Sequence, residues 1–85
     1  MYSERPDLIG TYIRDVREDT YGDVGKVVSE RTYKNPDRYY LVVEWLVSGN
    51  TSRHKEDKFG TYSTDYFGSD FEFLTKEEVY AEVLW

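Results

Sequence analysis

Carboxylates are the main side chains in this sequence that could do chemistry: it has 17 Asp and Glu residues, one histidine and no cysteine. General acid–base catalysis needs two carboxyl groups held at a fixed separation in a pocket that moves their pKa values apart. Glu44 lies in the middle of a predicted strand beside Trp45. A position on the solvent-facing side of a half-buried strand explains its presence without a catalytic role. His54 has no second imidazole nearby for a metal site. We therefore expect no catalytic residues, no cofactor or metal site, and no enzymatic activity.

A second group with functional potential is the aromatic and acidic stretch "TYSTDYFGSDF" at 61–71. Tyr and Phe are enriched in protein interfaces, and acidic neighbours suit a partner with a basic surface. The same rings could instead pack a long loop over the rest of the domain. From the first alternative we predict a protein-binding surface formed by Tyr62, Asp65, Tyr66, Phe67, Asp70 and Glu72.

A third group is a cluster of basic residues on both sides of the turn "KNPD" at 34–37. If the segments before and after this turn pair as a hairpin, the cluster gathers at one end. Basic side chains beside tyrosines can bind single-stranded nucleic acid by charge and stacking, although Glu30 and Asp37 are interleaved with them. The alternative prediction is therefore nucleic-acid binding by Lys26, Arg31, Lys34, Arg38 and Tyr39.

Charge is unevenly distributed along the chain. Residues 1–64 contain 10 Lys and Arg against 11 Asp and Glu, residues 65–85 contain one Lys against six Asp and Glu, and the net charge is −6. Affinity for a phosphate backbone comes from counterion release by Lys and Arg, so this balance disfavours general nucleic-acid binding. It favours either a solvated acidic face that aids solubility or a basic protein partner.

The elements that must position these side chains are mostly strands. Thr75 and Glu78 fit a capping box that would begin a C-terminal helix, with a final strand over 80–85 as the alternative. We expect one domain over 1–85, with 1–7 as a lead-in and 75–85 as a C-terminal extension. Runs rich in β-branched and aromatic residues, bounded by turn signals, predict strands at 8–16, 24–33, 38–48, 60–63 and 71–73.

The strand predicted at 38–48 has the strongest pattern. Its residues alternate between two faces, and the wholly apolar face should point into the core. That inward face consists of Tyr39, Leu41, Val43, Trp45 and Val47. The opposite face consists of Tyr40, Val42, Glu44, Leu46 and Ser48.

Two glycines three residues apart, in "YGDVGKVV", lie on either side of the start of the second strand. Glycine tolerates positive φ and close backbone approach, so Gly22 is predicted to end a loop and Gly25 to let the strand kink. Five short strands with such corners predict a small closed barrel, which would leave no unprotected edge. The predicted fold is mainly β, a five-stranded barrel with a short C-terminal helix or an extra strand.

The segments "GDVGKVV", "YYLVVEWL" and "SGN" together resemble the small SH3-like barrels of the KOW and Tudor type. The resemblance covers roughly residues 11–50 and implies an SH3-like barrel in which 59–74 supplies the remaining strands. The loops at 34–37 and 49–58 are more charged than in those domains. The short, Tyr-rich and Asp-rich chain without cysteine is also similar to accessory proteins of tailed bacteriophages.

These observations predict a non-catalytic protein-binding module, a monomer or homodimer, whose partner has a basic surface. If it is phage-encoded, it would occupy such a surface on a host protein. No apolar run approaches 18 residues and the N-terminus has no signal-peptide core, so we expect a cytoplasmic protein without membrane association.

Overall fold

The computed structural model describes residues 4–18, 21–35, 37–47 and 58–81. It forms one antiparallel sheet with the strand order β4-β3-β2-β1-β5, which confirms the mainly β prediction. The strands are β1 (Tyr12–Asp15), β2 (Val24–Tyr33), β3 (Arg38–Val47), β4 (Phe59–Tyr62) and β5 (Phe71–Phe73). In the described part of the chain, 3-10 helices span Pro6–Leu8 and Thr64–Tyr66, and the α-helix α1 spans Lys76–Val79.

The first strand is shorter than predicted. It begins at Tyr12 rather than at residue 8, because the preceding residues form a 3-10 helix with Pro6 at its start. Proline favours that position because its fixed φ suits a helix and its missing N–H is not needed there. Gly10 then has a φ of +98°, which turns the chain into β1.

The core lies against one face of the sheet. On β3, Tyr39, Leu41, Val43 and Trp45 are buried as predicted, and the side chain of Val47 lies outside the described part of the chain. The cluster is completed from the other elements by Leu8, Ile13, Val27 and Phe71.

The sheet is open, so the predicted barrel closure is wrong for the described residues. No ladder among them joins β4 to β5, which have only 4 and 3 residues. The two strands meet through side chains instead, since the rings of Tyr62 on β4 and Phe71 on β5 have centroids 4.8 Å apart. The rings of Tyr66 and Phe67 also pack against this cluster.

The two glycines at the start of β2 have separate roles. Gly22 has a φ of +96°, as predicted for the end of the loop, and its N–H donates to the Asp15 carbonyl at 2.9 Å. Gly25 lies at a register shift between β2 and β3. A Cβ there would come within 2.6 Å of Val43 Cγ1 and 3.0 Å of the Glu44 carbonyl oxygen. Gly25 is therefore required for close strand packing at a bulge.

The capping box predicted at the C-terminus is present. The Glu78 N–H donates to Thr75 Oγ1 at 3.2 Å, and the Thr75 N–H donates to Glu78 Oε1 at 2.9 Å. The hydrogen bonds from the Thr75 backbone and hydroxyl lower the pKa of Glu78. Tyr80 keeps helical backbone angles, so the chain continues as a helix there. Residues 82–85 of the alternative final strand lie outside the described part.

None of the described helices has the length and apolar character needed to cross a membrane.

Candidate functional site

The face of the sheet opposite the core carries a row of alternating aromatic and charged residues. Tyr12 pairs with Lys26, Lys26 pairs with Glu44, and Glu44 pairs with Phe59. Side chains of directly paired residues lie on the same face of a sheet, so this row crosses β1, β2, β3 and β4. At about 4.8 Å between neighbouring strands, it spans about 14 Å.

A bulge extends this surface onto the far ends of β2 and β3. The register shifts between Val27 and Ser29, so Val28 is an additional residue in β2. Strict alternation from the buried Val27 would place Arg31 and Tyr33 on the core face. The bulge reverses this, because a one-residue shift exchanges the two faces of a strand.

As a result, Arg31 pairs with Tyr40 and Tyr33 pairs with Arg38 on the surface that also carries Val42. The rings of Tyr33 and Tyr40 meet edge to face with centroids 5.8 Å apart. We call this surface the outer face: Tyr12, Lys26, Arg31, Tyr33, Arg38, Tyr40, Val42, Glu44, Phe59 and Thr61.

The rings of the outer face are accessible and lie close to cations. Phe59 is 55% exposed and Tyr33 is 48% exposed. Lys58 Nζ lies 5.4 Å from the centre of the Phe59 ring, and Lys26 Nζ lies 5.5 Å from that of Tyr12. Lys58 also forms an ion pair with Glu44 at 3.4 Å. The outer face is therefore locally positive, although the chain has a net charge of −6.

The structure brings together most of the residues predicted to bind nucleic acid. Lys26, Arg31 and Arg38 belong to the outer face, and Lys34 is exposed in the turn at its end. Tyr39 is the exception, because the alternation of β3 turns it into the core, where it is 4% exposed. Its ring is not available to stack on a base, and Tyr33 and Tyr40 are the accessible neighbours.

The buried Tyr39 has a structural role. Its hydroxyl donates a hydrogen bond to the Glu30 carboxylate on β2. Burial, and after it this hydrogen bond, raise the pKa of Tyr39 to about 12. The phenol therefore stays protonated at neutral pH and links the two long strands.

The rings predicted to bind a protein are mainly used in packing. Tyr62, Tyr66 and Phe67 are half-buried and surround Phe71, which is fully buried. Their centroids lie 4.8, 5.4 and 5.3 Å from that of Phe71. Trp45 Nε1 also donates to the Tyr62 hydroxyl at 3.1 Å. The exposed part of this segment is consequently acidic rather than aromatic.

The acidic side chains of the same segment are on the surface. Asp65, Asp70 and Glu72 are exposed, and Glu72 accepts a hydrogen bond from Arg14 Nη1 at 2.9 Å. The same Arg14 nitrogen lies 3.5 Å from Glu78. We call the acidic residues of this region the acidic rim: Asp65, Asp70, Glu72, Glu77 and Glu78.

One charged pair was missed at the level of sequence. Asp15 is fully buried at the end of β1, and its carboxylate accepts from Arg17 Nε at 3.1 Å and Nη2 at 2.8 Å. This bond to Asp15 raises the pKa of Arg17. The guanidinium carbon also lies 5.1 Å from the Phe71 ring and 5.6 Å from the Tyr66 ring. The only sequence signal for this ion pair is the spacing of Asp15 and Arg17 two residues apart, and that spacing does not indicate that the carboxylate is buried.

The described residues contain no group of three or more His, Cys, Asp or Glu side chains that could hold a metal ion. Glu44 forms its ion pair with Lys58 on the open outer face. His54 lies outside the described residues.

A scan of protein-family models, a search of curated proteins and a search of solved structures found no match to this chain. The resemblance to KOW and Tudor domains and to phage accessory proteins therefore stays a prediction.

Proposed function

We propose that this protein is a non-catalytic binding module that binds single-stranded nucleic acid on its outer face. The observation that carries the proposal is the pairing of exposed rings with cations, as in Phe59 beside Lys58 and Tyr33 beside Arg38. Bases stack on exposed aromatic rings without strong sequence preference, while Lys and Arg attract the phosphates.

A single strand suits this surface better than a duplex. In a duplex the flat faces of the bases are stacked on each other, so that proteins reach base edges through the grooves, often with a helix. The outer face is instead formed by strands and presents rings from β1, β2, β3 and β4. Its dimension across the strands, about 14 Å, suits a few unpaired nucleotides.

The proposal is tested by fluorescence anisotropy with an oligothymidine and a duplex of equal length, each titrated at about 50 and 200 mM salt. We expect tighter binding of the single strand and an affinity that falls with salt, because each neutralised phosphate releases counterions. The variant Lys26→Gln/Arg31→Gln should bind more weakly and lower the salt slope by about 1 per lost phosphate contact.

Lys76→Gln is the matched control, because Lys76 is an exposed lysine at the start of α1, outside the outer face. It should bind like the wild-type protein. Absence of binding at about 50 mM salt, or a preference for the duplex, would overturn the proposal.

A protein partner with a basic surface, bound at the acidic rim, is the second candidate function. It is favoured by the exposure of Asp65 and Asp70 beside half-buried rings. In a phage-infected cell such a partner would be a host protein in the cytoplasm. Recovery of partners from lysate should fall for Asp65→Lys/Asp70→Lys relative to wild type, and equal recovery would discard the acidic rim as a binding surface.

A further inference from the structure

An open groove of about 230 Å³ lies within the outer face. Val42, 6% exposed, is its most buried residue, and Gly60 contributes only backbone. The complete lining is Arg31, Tyr33, Val42, Phe59, Gly60 and Thr61.

The lining combines the parts that a planar, polar ring needs. Phe59 and Tyr33 offer aromatic faces, and both are about half exposed. Arg31 offers a planar set of donors, and the Thr61 hydroxyl can donate or accept. Flat heteroaromatic rings with polar edges, which are the nucleobases, fit this combination of stacking surface and edge-binding groups.

Charge around the groove indicates what carries the ring. Arg31 lies in the groove itself, Lys58 lies beside Phe59, and Arg38 pairs with Tyr33. The Glu44 carboxylate, which shares this face, forms an ion pair with Lys58. A ring attached to an anionic chain is therefore favoured over an isolated neutral ring.

We propose that this groove is a subsite for one unpaired nucleobase, stacked on Phe59 with its polar edge towards Arg31 and Thr61. The inference rests on the proposed function, since it concerns how the outer face holds a single strand. It adds a base-dependent contribution to binding, whereas contacts to phosphate alone would ignore the base.

The test compares an oligothymidine with an oligomer of the same length and charge built from abasic nucleotides. Removing a base–aromatic stack costs roughly 5- to 150-fold in affinity, so the wild-type protein should bind the abasic oligomer weaker by at least about fivefold. Phe59→Ala should lose affinity for oligothymidine and reduce this difference. Phe59→Leu, which keeps an apolar side chain but no ring, should behave in the same way.

Phe73→Ala is the matched control, because Phe73 is 42% exposed on β5, outside the outer face. It should retain the wild-type difference between the two oligomers. Far-ultraviolet spectra of all variants check that the sheet is formed.

The outcomes separate the two proposals. If wild type binds neither oligomer, the proposed function is overturned and the subsite with it. If wild type binds both oligomers equally, or if Phe59→Leu binds oligothymidine like wild type, the subsite is overturned while phosphate binding by the outer face stands.

Discussion

At the scale of single residues, Arg17 connects two parts of the structure that are distant in sequence. Its guanidinium binds the buried carboxylate of Asp15 and lies over the rings of Tyr66 and Phe71. A buried carboxylate is costly unless it is paired and hydrogen-bonded. Arg17 therefore stabilises the end of β1 and the segment that covers the gap between β4 and β5.

We predict that Arg17→Ala lowers the free energy of unfolding by about 2–3 kcal/mol. Loss of a partner from a buried ion pair typically costs about 3–5 kcal/mol, and the value is reduced here because the Arg17 side chain is 33% exposed and partly screened by water. Urea unfolding followed by circular dichroism measures the change.

Arg5→Ala is the control for this prediction. Arg5 also forms a pair with an Asp two residues away, Asp7, but both side chains are exposed, and exposed pairs contribute little to stability. Equal losses for the two variants would show that burial of Asp15 does not determine the contribution of Arg17.

At the scale of elements, the pair β2–β3 determines what each face of the sheet presents. Gly25 allows β2 to approach β3 closely, and the bulge at Val28 redirects the following residues. Because of this bulge, Arg31 and Tyr33 join the outer face, while Glu30 faces the core side and accepts the hydrogen bond from Tyr39. The candidate site therefore depends on pairing irregularities in two strands that are otherwise regular.

We predict that Gly25→Ala destabilises the protein by about 1–3 kcal/mol, the usual cost of overpacking. The added Cβ would lie 2.6 Å from Val43 Cγ1 and 2.9 Å from Trp45 Cε3, so the strands must move apart. Urea unfolding of Gly25→Ala, Val43→Ala and the double variant forms a double-mutant cycle. The double variant should lose less free energy of unfolding than the two single variants together, by at least about 0.5 kcal/mol. If the two losses simply add, the steric explanation is contradicted.

At the scale of the whole molecule, charge is separated between surfaces. The outer face carries Lys26, Arg31 and Arg38, whereas Asp65, Asp70 and Glu77 of the acidic rim lie outside it. Glu72 lies on the same side of the sheet as the outer face but is paired with Arg14. The Debye length is about 8 Å at 0.15 M salt, and the molecule extends 41 × 26 × 21 Å. Exposed charges that lie farther than this from the outer face are therefore largely screened from a ligand bound there at physiological salt.

We predict that Asp65→Asn/Asp70→Asn raises the affinity for oligothymidine less than threefold at about 50 mM salt and leaves it unchanged at about 200 mM, because the effect is long-range and screened. Glu44→Gln, which removes the carboxylate paired with Lys58 on the outer face itself, should raise the affinity at both salt concentrations. Anisotropy titrations measure both. A large effect of the Asp65 and Asp70 changes at about 200 mM salt would place the nucleic acid on the acidic rim instead.

The local features of this fold could be predicted because they depend on neighbouring residues. The bounds of β2, the buried alternation of Tyr39, Leu41, Val43 and Trp45, and the capping box of α1 were all indicated by spacing or turn chemistry. Of the predicted nucleic-acid residues, the sequence identified cations that do share one region. The predicted set of nucleic-acid-binding residues also included Tyr39, although the alternation of its strand already placed Tyr39 on the inward face.

Local sequence patterns therefore predicted the five strands and most inward-facing residues, because hydrophobic alternation and caps act within a few residues, but they did not predict the 3-10 helices at Pro6–Leu8 and Thr64–Tyr66. Three features became apparent only from the folded chain: the sheet of the described residues is open, Asp15 is buried against Arg17, and the rings of Tyr62 and Tyr66 cover the gap. The tertiary structure also decided that Arg31 and Tyr33 lie on the outer face, because one additional residue at Val28 reverses the alternation. These features depend on which strands pair and in which register, and register is set by contacts between segments far apart in the chain.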